Sequence, residues 1–380
     1  MKACLPERVV PPHLPKPPPR GRTLVIALGK AAAPMARAVE AHWPGPLTGL
    51  AVTRYGSAAP LTRIEVLEAA HPVPDAASIA AAGRLLSLAA SAGPDDLVLV
   101  LLSGGASALA CLPGEGLPLG EKQQVTTALL RSGAPIAEIN CVRRHLSRFK
   151  GGKLAAAAAP ARLVTLAISD VLGDDPADIG SGPTAADPTT VGEAEAILRR
   201  YNIPDPGRGW SETETAVAGE YNIVASGAEA LAAAAQEATK LGYRPVTLEC
   251  AGEARDVARE HARLALQAPP GTALISGGEL TVPVRGSGSG GPNQEYAVAA
   301  AVALRGTEVR GLAGDTDGID GNSPAAGAFF DGTTASDPAA AEAALAANDS
   351  AAFLASRNAL FVTGPTGTNV NDLRILLTPP

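Results

Sequence analysis

Short apolar runs alternate along the first half of the chain with longer stretches whose apolar positions recur every three or four residues. Thr23–Leu28 reads as a buried strand that turns at Gly29-Lys30 into an Ala-rich helix over 31–42. Residues 50–53 read as a second strand, and 78–92 as a helix with Ile79, Leu85, Leu86 and Leu88 on one broad face. The six apolar residues 97–102 predict a buried strand that stops at Ser103-Gly104-Gly105. A helix over 120–132, a mostly helical stretch over 139–154 and a strand over 162–168 follow. Strands alternating with such helices predict βαβ units, hence a Rossmann-like α/β/α domain with a parallel sheet. Ligands of such sheets bind beyond the carboxyl ends of the strands. The loops at Gly29-Lys30, at Ser103 to Gly105 and after Ser169-Asp170 are therefore the ones to watch.

The pattern lapses over 203–215, a stretch without period that contains PDPGRGWSETET. A domain boundary is expected there, giving an N-terminal domain over 1–215 and a smaller one over 216–380. Beyond it, strands are predicted at 222–225, 245–248, 273–276, 281–285, 309–313, 360–363 and 374–377, with helices at 228–241, 254–268 and 293–304. The strands at 273–276 and 281–285 are close enough for an antiparallel hairpin, so the second domain is expected to be α/β with a mixed sheet. No repeat of solenoid period occurs.

Composition narrows the function classes. The chain has 380 residues, 46 % of them hydrophobic but only 3 % aromatic, so its core is built from Ala, Leu, Val and Ile. A formal charge of −7 and few aromatics argue against a nucleic-acid binder. No run approaches the ~20 apolar residues of a membrane span, and the start is Pro-rich rather than a signal sequence, so a cytoplasmic protein is expected. The four cysteines, at 4, 111, 141 and 250, lack metal or disulfide spacing. Glycine and proline are abundant, at 41 and 33 residues, yet the glycines gather in the loops that follow strands.

Several of those loops carry candidate chemistry. Gly29-Lys30 is half of a P-loop, with Leu24 and Ala31 where that motif needs Gly and Ser or Thr. A lysine at a helix start is electrostatically misplaced unless an anion joins it, which favours a functional Lys30 over a merely solvated one. Ser103, Gly104, Gly105 and Ser107 can present backbone N–H groups to a phosphate or carboxylate, or form a plain turn. The string NCVRRHLSRFKGGK over 140–153 is strongly cationic: Arg143, Arg144 and Lys150 suit an anionic substrate, a solvated helix face is the rival reading, and His145 reads as structural. Asp170, Asp174 and Asp175 cluster after a strand, as Mg2+ ligands or as turn formers. Residues 286–291 satisfy G-x-G-x-x-G and open a helix at Pro292, which fits either a nicotinamide dinucleotide or the phosphates of another nucleotide. Asp315 and Asp317 lie in a loop that departs from the calcium-binding pattern at Ile319, yet still suit metal or hydroxyl contacts. The polar loop 364–372 has no role assignable from its residues alone.

Together these strings resemble the class II glycerate 2-kinases, two-domain proteins with a C-terminal MOFRL domain. The resemblance rests on GKAAAPMA (29–36), HPVPD (71–75), LLSGGASAL (101–109), INCVRRHLSRFKGGKLA (139–155), ISDVLGDDP (168–176), ISGGELTV (275–282), GGPNQE (290–295), DTDGIDG (315–321) and TGPTGTNVNDL (363–373), and spans about residues 22 to 378. It implies ATP- and Mg2+-dependent phosphorylation of D-glycerate to 2-phosphoglycerate in a cleft between domains, with room for a homodimer. Family members have often been labelled hydroxypyruvate reductases, which keeps an NAD(P)H-dependent reductase as the alternative. On the kinase reading Lys30, Asp170 and Arg144 are catalytic, and Ser103, Gly104, Gly105, Ser107, Arg143 and Lys150 bind the acid. The nucleotide falls to Gly277, Gly278, Glu279, Gly288, Gly290, Gly291, Asn293, Glu295, Thr366 and Asn369, and the metal to Asp174, Asp315 and Asp317. Many members carry Arg where this chain has Pro292, so no role passes to that position.

Overall fold

Fully apolar strands must be covered on both faces, and that requirement organises the first half of the chain. In the computed structural model, which describes residues 2–380, one compact unit spans Leu5–Val224. Its strands are β1 (Thr23–Leu28), β2 (Leu47–Arg54), β3 (Ile64–Ala69), β4 (Leu97–Ser103), β5 (Arg162–Ile168) and β6 (Glu220–Ala225), in the order β3-β2-β1-β4-β5-β6. Strands β1 to β5 run parallel, and every residue of β1 and β4 is buried. The helices are α1 (Pro6–Val9), α2 (Ala32–His42), α3 (Ala76–Ala90), α4 (Ala106–Leu109), α5 (Leu119–Arg131), α6 (Ile136–His145), α7 (Lys153–Ala158) and α8 (Val191–Arg200). The main core joins Leu24, Ile26, Val98, Val100 and Leu102 to Leu85 and Ala89 of α3. This is the doubly wound Rossmann-like order, and its direction reverses between β1 and β4.

The second unit spans Ala225–Pro380 with the N-terminal segment through Cys4. It contains α9 (Gly227–Lys240), β7 (Arg244–Glu249), β8 (Gly252–Glu253), α10 (Ala254–Gln267), β9 (Thr272–Gly277), β10 (Leu280–Thr281), α11 (Pro292–Ala303), β11 (Arg310–Asp315), β12 (Gly327–Asp331), α12 (Pro338–Ala346), α13 (Ser350–Ala355), β13 (Leu360–Phe361) and β14 (Asp372–Leu377). The sheet order is β13-β12-β11-β14-β9-β7, mixed in direction as expected. Helix α11 is buried from Asn293 through Ala301, so it is the spine of this unit's core.

The structure departs from the sequence reading in three instructive places. The hairpin expected between 273–276 and 281–285 does not form. Strand β9 pairs antiparallel with β14, about a hundred residues on, while the two-residue β10 pairs with β8. The stretch 139–154 is two helices, α6 and α7, with left-handed Gly151 and Gly152 between them. Strand β6 closes the edge of the first sheet, so the strand expected to open the second half belongs to the first unit. All four cysteines are free, and among the described residues no helix is long and apolar enough to cross a membrane.

Candidate active site

The reversal point between β1 and β4 is tightly made. Gly29 has φ +128°, and a Cβ there would sit 2.2 Å from the Ser103 hydroxyl oxygen. This contact locks the two strand ends together: the Lys30 N–H donates to the Gly104 carbonyl at 2.8 Å, and the Ala31 N–H to Ser103 Oγ at 3.0 Å. Ser103 is fully buried, and Gly104 is buried beside it. Gly105 takes φ +83° at the start of α4, and a Cβ there would lie 3.1 Å from both Lys30 Cγ and His71 Cδ2. Lys30 and His71, both half-buried, thus converge on Gly105 at the strand ends.

Next to Gly105 opens a cavity of about 290 Å3 bounded by His71, Ser107, Lys122, Arg143 and Lys150. Lys150 is wholly buried and donates to the Ser107 carbonyl at 2.9 Å; burial pushes its pKa down to about 7. Lys122 donates to the Arg143 carbonyl at 3.2 Å and to the Leu146 carbonyl, and burial pushes it down to about 8. Arg143, also lowered by burial, makes one long bond, to Asn140 Oδ1 at 3.4 Å. Among the described residues none of these three cations has a carboxylate partner. Buried charge without a counter-charge is costly, and an anionic ligand supplies what is missing.

The neighbouring cation does not share in this. Arg144 is absent from the cavity wall; its Nε reaches Asp187 at 2.7 Å and its Nη1 reaches Asp178 at 3.4 Å. These bonds tie α6 to the loop after β5 and leave Arg144, expected to be catalytic, off the cavity wall. His145 is buried between the Ser211 carbonyl and the Thr189 hydroxyl, both at 3.1 Å. Ser107 lies on the cavity, its hydroxyl against Ser181 Oγ at 2.5 Å. Asp170 is half-buried just past β5, and Asp174 sits in a turn at φ +56°.

In the second unit the Gly-rich loop proves to be closed. The Arg285 and Gly286 N–H groups donate to Asn348 Oδ1, Ser289 to Asp349 Oδ1, Gly290 to Asn322 Oδ1, and Gly288 to the Ala347 carbonyl. The N-terminus of α11 already holds an anion, the Asp320 carboxylate, which accepts from the Asn293 N–H at 3.0 Å and the Gln294 N–H at 2.8 Å. A Cβ on Gly291 would meet that carboxylate at 2.5 Å. Burial pushes Asp320 up to about 7, against the pull of those hydrogen bonds. Glu295 is buried and held by Arg255 at 2.7 Å and Asn348 Nδ2 at 3.1 Å. The Gly286, Gly288, Ser289 and Gly290 N–H groups of this loop are thus engaged within the chain, as are Asn293 and Glu295.

The remaining predicted residues are scattered through the same unit. Gly277 ends β9, and Gly278 at φ +96° lies so close to the Cys250 carbonyl that a Cβ would sit 2.2 Å from it; Glu279 is exposed. The Gly278 carbonyl accepts from Arg374, which is paired with Asp372. Asp315 Oδ1 accepts from the Asp317 N–H and Asp317 Oδ1 from the Ile319 N–H, so both carboxylates shape their own turn. Thr366 donates its hydroxyl to the Thr316 carbonyl, and Asn369 Oδ1 accepts from the Asn371 N–H at 3.4 Å. Among the described residues no three His, Cys, Asp or Glu side chains form a metal-holding group.

His71 and Lys122 were not singled out from the sequence, and Asp320, the third acid of DTDGIDG, caps a helix. The first is carried by HPVPD just after the unrecognised strand β3, and Lys122 is a single charge within a helix.

Comparison with known proteins now adds to this geometry. A family model described as a domain of unknown function, DUF4147, matches residues 1–208, and the MOFRL family model matches residues 272–372. D-glycerate 2-kinase of Thermotoga maritima is 41 % identical over 405 residues, covering 99 % of this chain and 95 % of that one. The chain belongs to the MOFRL glycerate 2-kinase family. Within it, a protein named putative hydroxypyruvate reductase, from Agrobacterium vitis, is 48 % identical over 384 residues, covering 94 % of this chain and 88 % of its own. The crystal structure of glycerate kinase from Thermotoga maritima matches with a TM-score of 0.89 at 39 % identity, covering 99 % of this chain and 96 % of that chain.

Proposed function

We propose that this family member is a cytoplasmic D-glycerate 2-kinase that transfers the γ-phosphoryl group of ATP, with Mg2+, to the C2 hydroxyl of D-glycerate. The observation that carries the reading is the cavity beside Gly105, with buried Lys122 and Lys150 and half-buried Arg143 and, among the described residues, no carboxylate paired with them, next to Lys30 at the sheet's reversal point. Arg143, with Lys150 and the Ser107 turn behind it, holds the substrate carboxylate. Lys30 meets the charge of the transferring phosphoryl group, where positioning and charge stabilisation do most of the catalytic work. Asp170 accepts the hydroxyl proton as the new P–O bond forms and the bond to ADP breaks.

Mg2+ keeps one or two protein carboxylates when phosphates supply its other ligands, so the lack of a three-ligand group among the described residues suits a nucleotide-borne ion. Asp174, on the loop after β5, is the carboxylate of the first unit to hold it. When bound, the ion neutralises charge on the β- and γ-phosphates. The kinase reading is favoured over the reductase alternative by the glycerate kinase relatives and structural neighbour.

One experiment separates the two chemistries. D-glycerate with MgATP is expected to yield ADP and 2-phosphoglycerate, and hydroxypyruvate with NADH or NADPH to show no loss of reduced cofactor. Cofactor oxidation without ADP formation overturns the kinase reading.

A further inference from the structure

The loop after β5 ends in a left-handed turn. Gly180, Ser181 and Gly182 follow one another with φ of +61°, +61° and +59°. Glycine adopts such angles freely, whereas a Cβ there crowds the backbone. The chain has glycine on either side of the turn's centre and keeps a buried serine at the centre itself. Strain of this kind persists only where the surroundings hold it, and it gathers at ligand sites. Here the surroundings are firm. Arg144 donates to the Ala177 carbonyl and pairs with Asp178, which also accepts from Asn140 Nδ2 at 2.9 Å. The Gly151 and Gly152 N–H groups donate to the Ser181 and Gly182 carbonyls at 3.2 and 2.8 Å. A turn fastened in this way delivers the Ser181 hydroxyl to the Ser107 hydroxyl at 2.5 Å. Ser107 lines the cavity, and its carbonyl accepts from Lys150. A hydroxyl has one proton and two lone pairs. If Ser181 gives its proton to Ser107, the Ser107 proton is released for an acceptor in the cavity.

We propose that Ser181 is a positioning residue for acid recognition, whose hydroxyl donates to Ser107 and so turns the Ser107 proton toward the carboxylate of the bound acid. The inference rests on the kinase reading for the identity of that acid, and it adds a residue one hydrogen bond removed from the cavity wall. The carboxylate is then held by Arg143 and by the Ser107 hydroxyl. The strained conformation of Ser181 is the cost of placing a donor behind Ser107. Phosphoryl transfer at C2 leaves the carboxylate unchanged, so this contact is made in ground state and transition state alike. Its loss therefore raises KM and leaves kcat near its parent value.

The test uses the full chain with MgATP and D-glycerate, following ADP release, with calorimetric binding of D-glycerate measured separately. Ser107→Ala removes a donor to a charged acceptor and is expected to raise KM and Kd about 10-fold or more, with kcat within ~2-fold. Ser181→Ala is expected to raise both about 5-fold. Ser107→Ala/Ser181→Ala should do no worse than Ser107→Ala alone, because the second hydroxyl acts only through the first. Ser181→Gly removes the same hydroxyl together with the strained Cβ. It is expected to match Ser181→Ala in KM and Kd while unfolding at a higher urea concentration. A packing role alone would make affinity follow stability through these two variants, and that result overturns the proposal. Unchanged affinity in Ser107→Ala or in both Ser181 variants also overturns it, as do additive losses in the double variant. Failure of the parent chain to bind D-glycerate overturns both the positioning role and the acid assigned to the cavity. The expected pattern of Kd in a chain that releases no ADP supports the positioning role and overturns the kinase.

Discussion

Lys30 carries more of the proposed chemistry than any other side chain, and its neighbours dictate how it can be tested. Its backbone is fixed by Gly104 and its side chain lies against Gly105. Lys30→Ala is expected to lower kcat by more than ~100-fold, about 2.7 kcal/mol of transition-state stabilisation, with little change in thermal unfolding. A kcat within tenfold of the parent chain would remove Lys30 from the mechanism. Arg144 provides the contrast, since its partners Asp187 and Asp178 leave it a structural task. Arg144→Ala should cost about 3 kcal/mol of stability by stranding buried Asp187, while enzyme that remains folded keeps its kcat. A kcat collapse at unchanged stability would restore Arg144 to catalysis. Asp320→Ala orphans the buried Asn293 and Gln294 N–H groups and is expected to cost about 1–3 kcal/mol in urea unfolding. None of these distinctions is visible in the string NCVRRHL, where Arg143 and Arg144 are adjacent and chemically alike. Helical geometry turns successive residues ~100° apart, one toward the cavity and the other toward Asp187.

Helix α5 and the turn between α6 and α7 bring the lysines of the cavity together, and their burial has a consequence for pH. In the folded chain Lys150 and Lys122 lose their protons near pH 7 and 8, whereas an unfolded chain holds them to about pH 10.4. Between those limits the unfolded state binds more protons, so stability rises with pH. The urea midpoint is expected to be higher at pH 9.5 than at pH 7, and the difference should shrink in Lys122→Met/Lys150→Met. A bound carboxylate favours the charged lysines, so affinity for the acid should weaken over the same range, as calorimetry at pH 7 and 9 can show. Elements were legible where burial was two-sided and continuous: β1 and β5 have the predicted ends, and β4 gains one residue. Strand β3, with Glu65 and Glu68 interrupting its apolar positions at the sheet edge, gave no such run. Helix α8 and strand β12 were likewise overlooked, the latter in the glycine- and alanine-rich stretch before Phe329 and Phe330.

Each half of the chain has its own sheet and its own buried cluster, and this frames a test of autonomy. A fragment over residues 5–224 is expected to fold cooperatively by circular dichroism. A fragment over 5–215 leaves β5 without its β6 neighbour and should melt at a lower temperature. Equal melting of the two would show that β6 contributes nothing to the first unit. The sequence by itself determined the βαβ order, the parallel first domain and the loops that end strands, because these follow from the local period of apolar residues, whereas the mixed second sheet comes from β9 pairing with the distant β14. Tertiary structure decided which of those loops are open to a ligand. The Gly286 and Ser289 N–H groups are answered by Asn348 and Asp349, about sixty residues away, and the α11 N-terminus by Asp320. Among the described residues, Lys122, Arg143 and Lys150 were left without a carboxylate partner. Hydrogen-bond satisfaction and charge compensation are set by partners distant along the chain, and no local pattern records them.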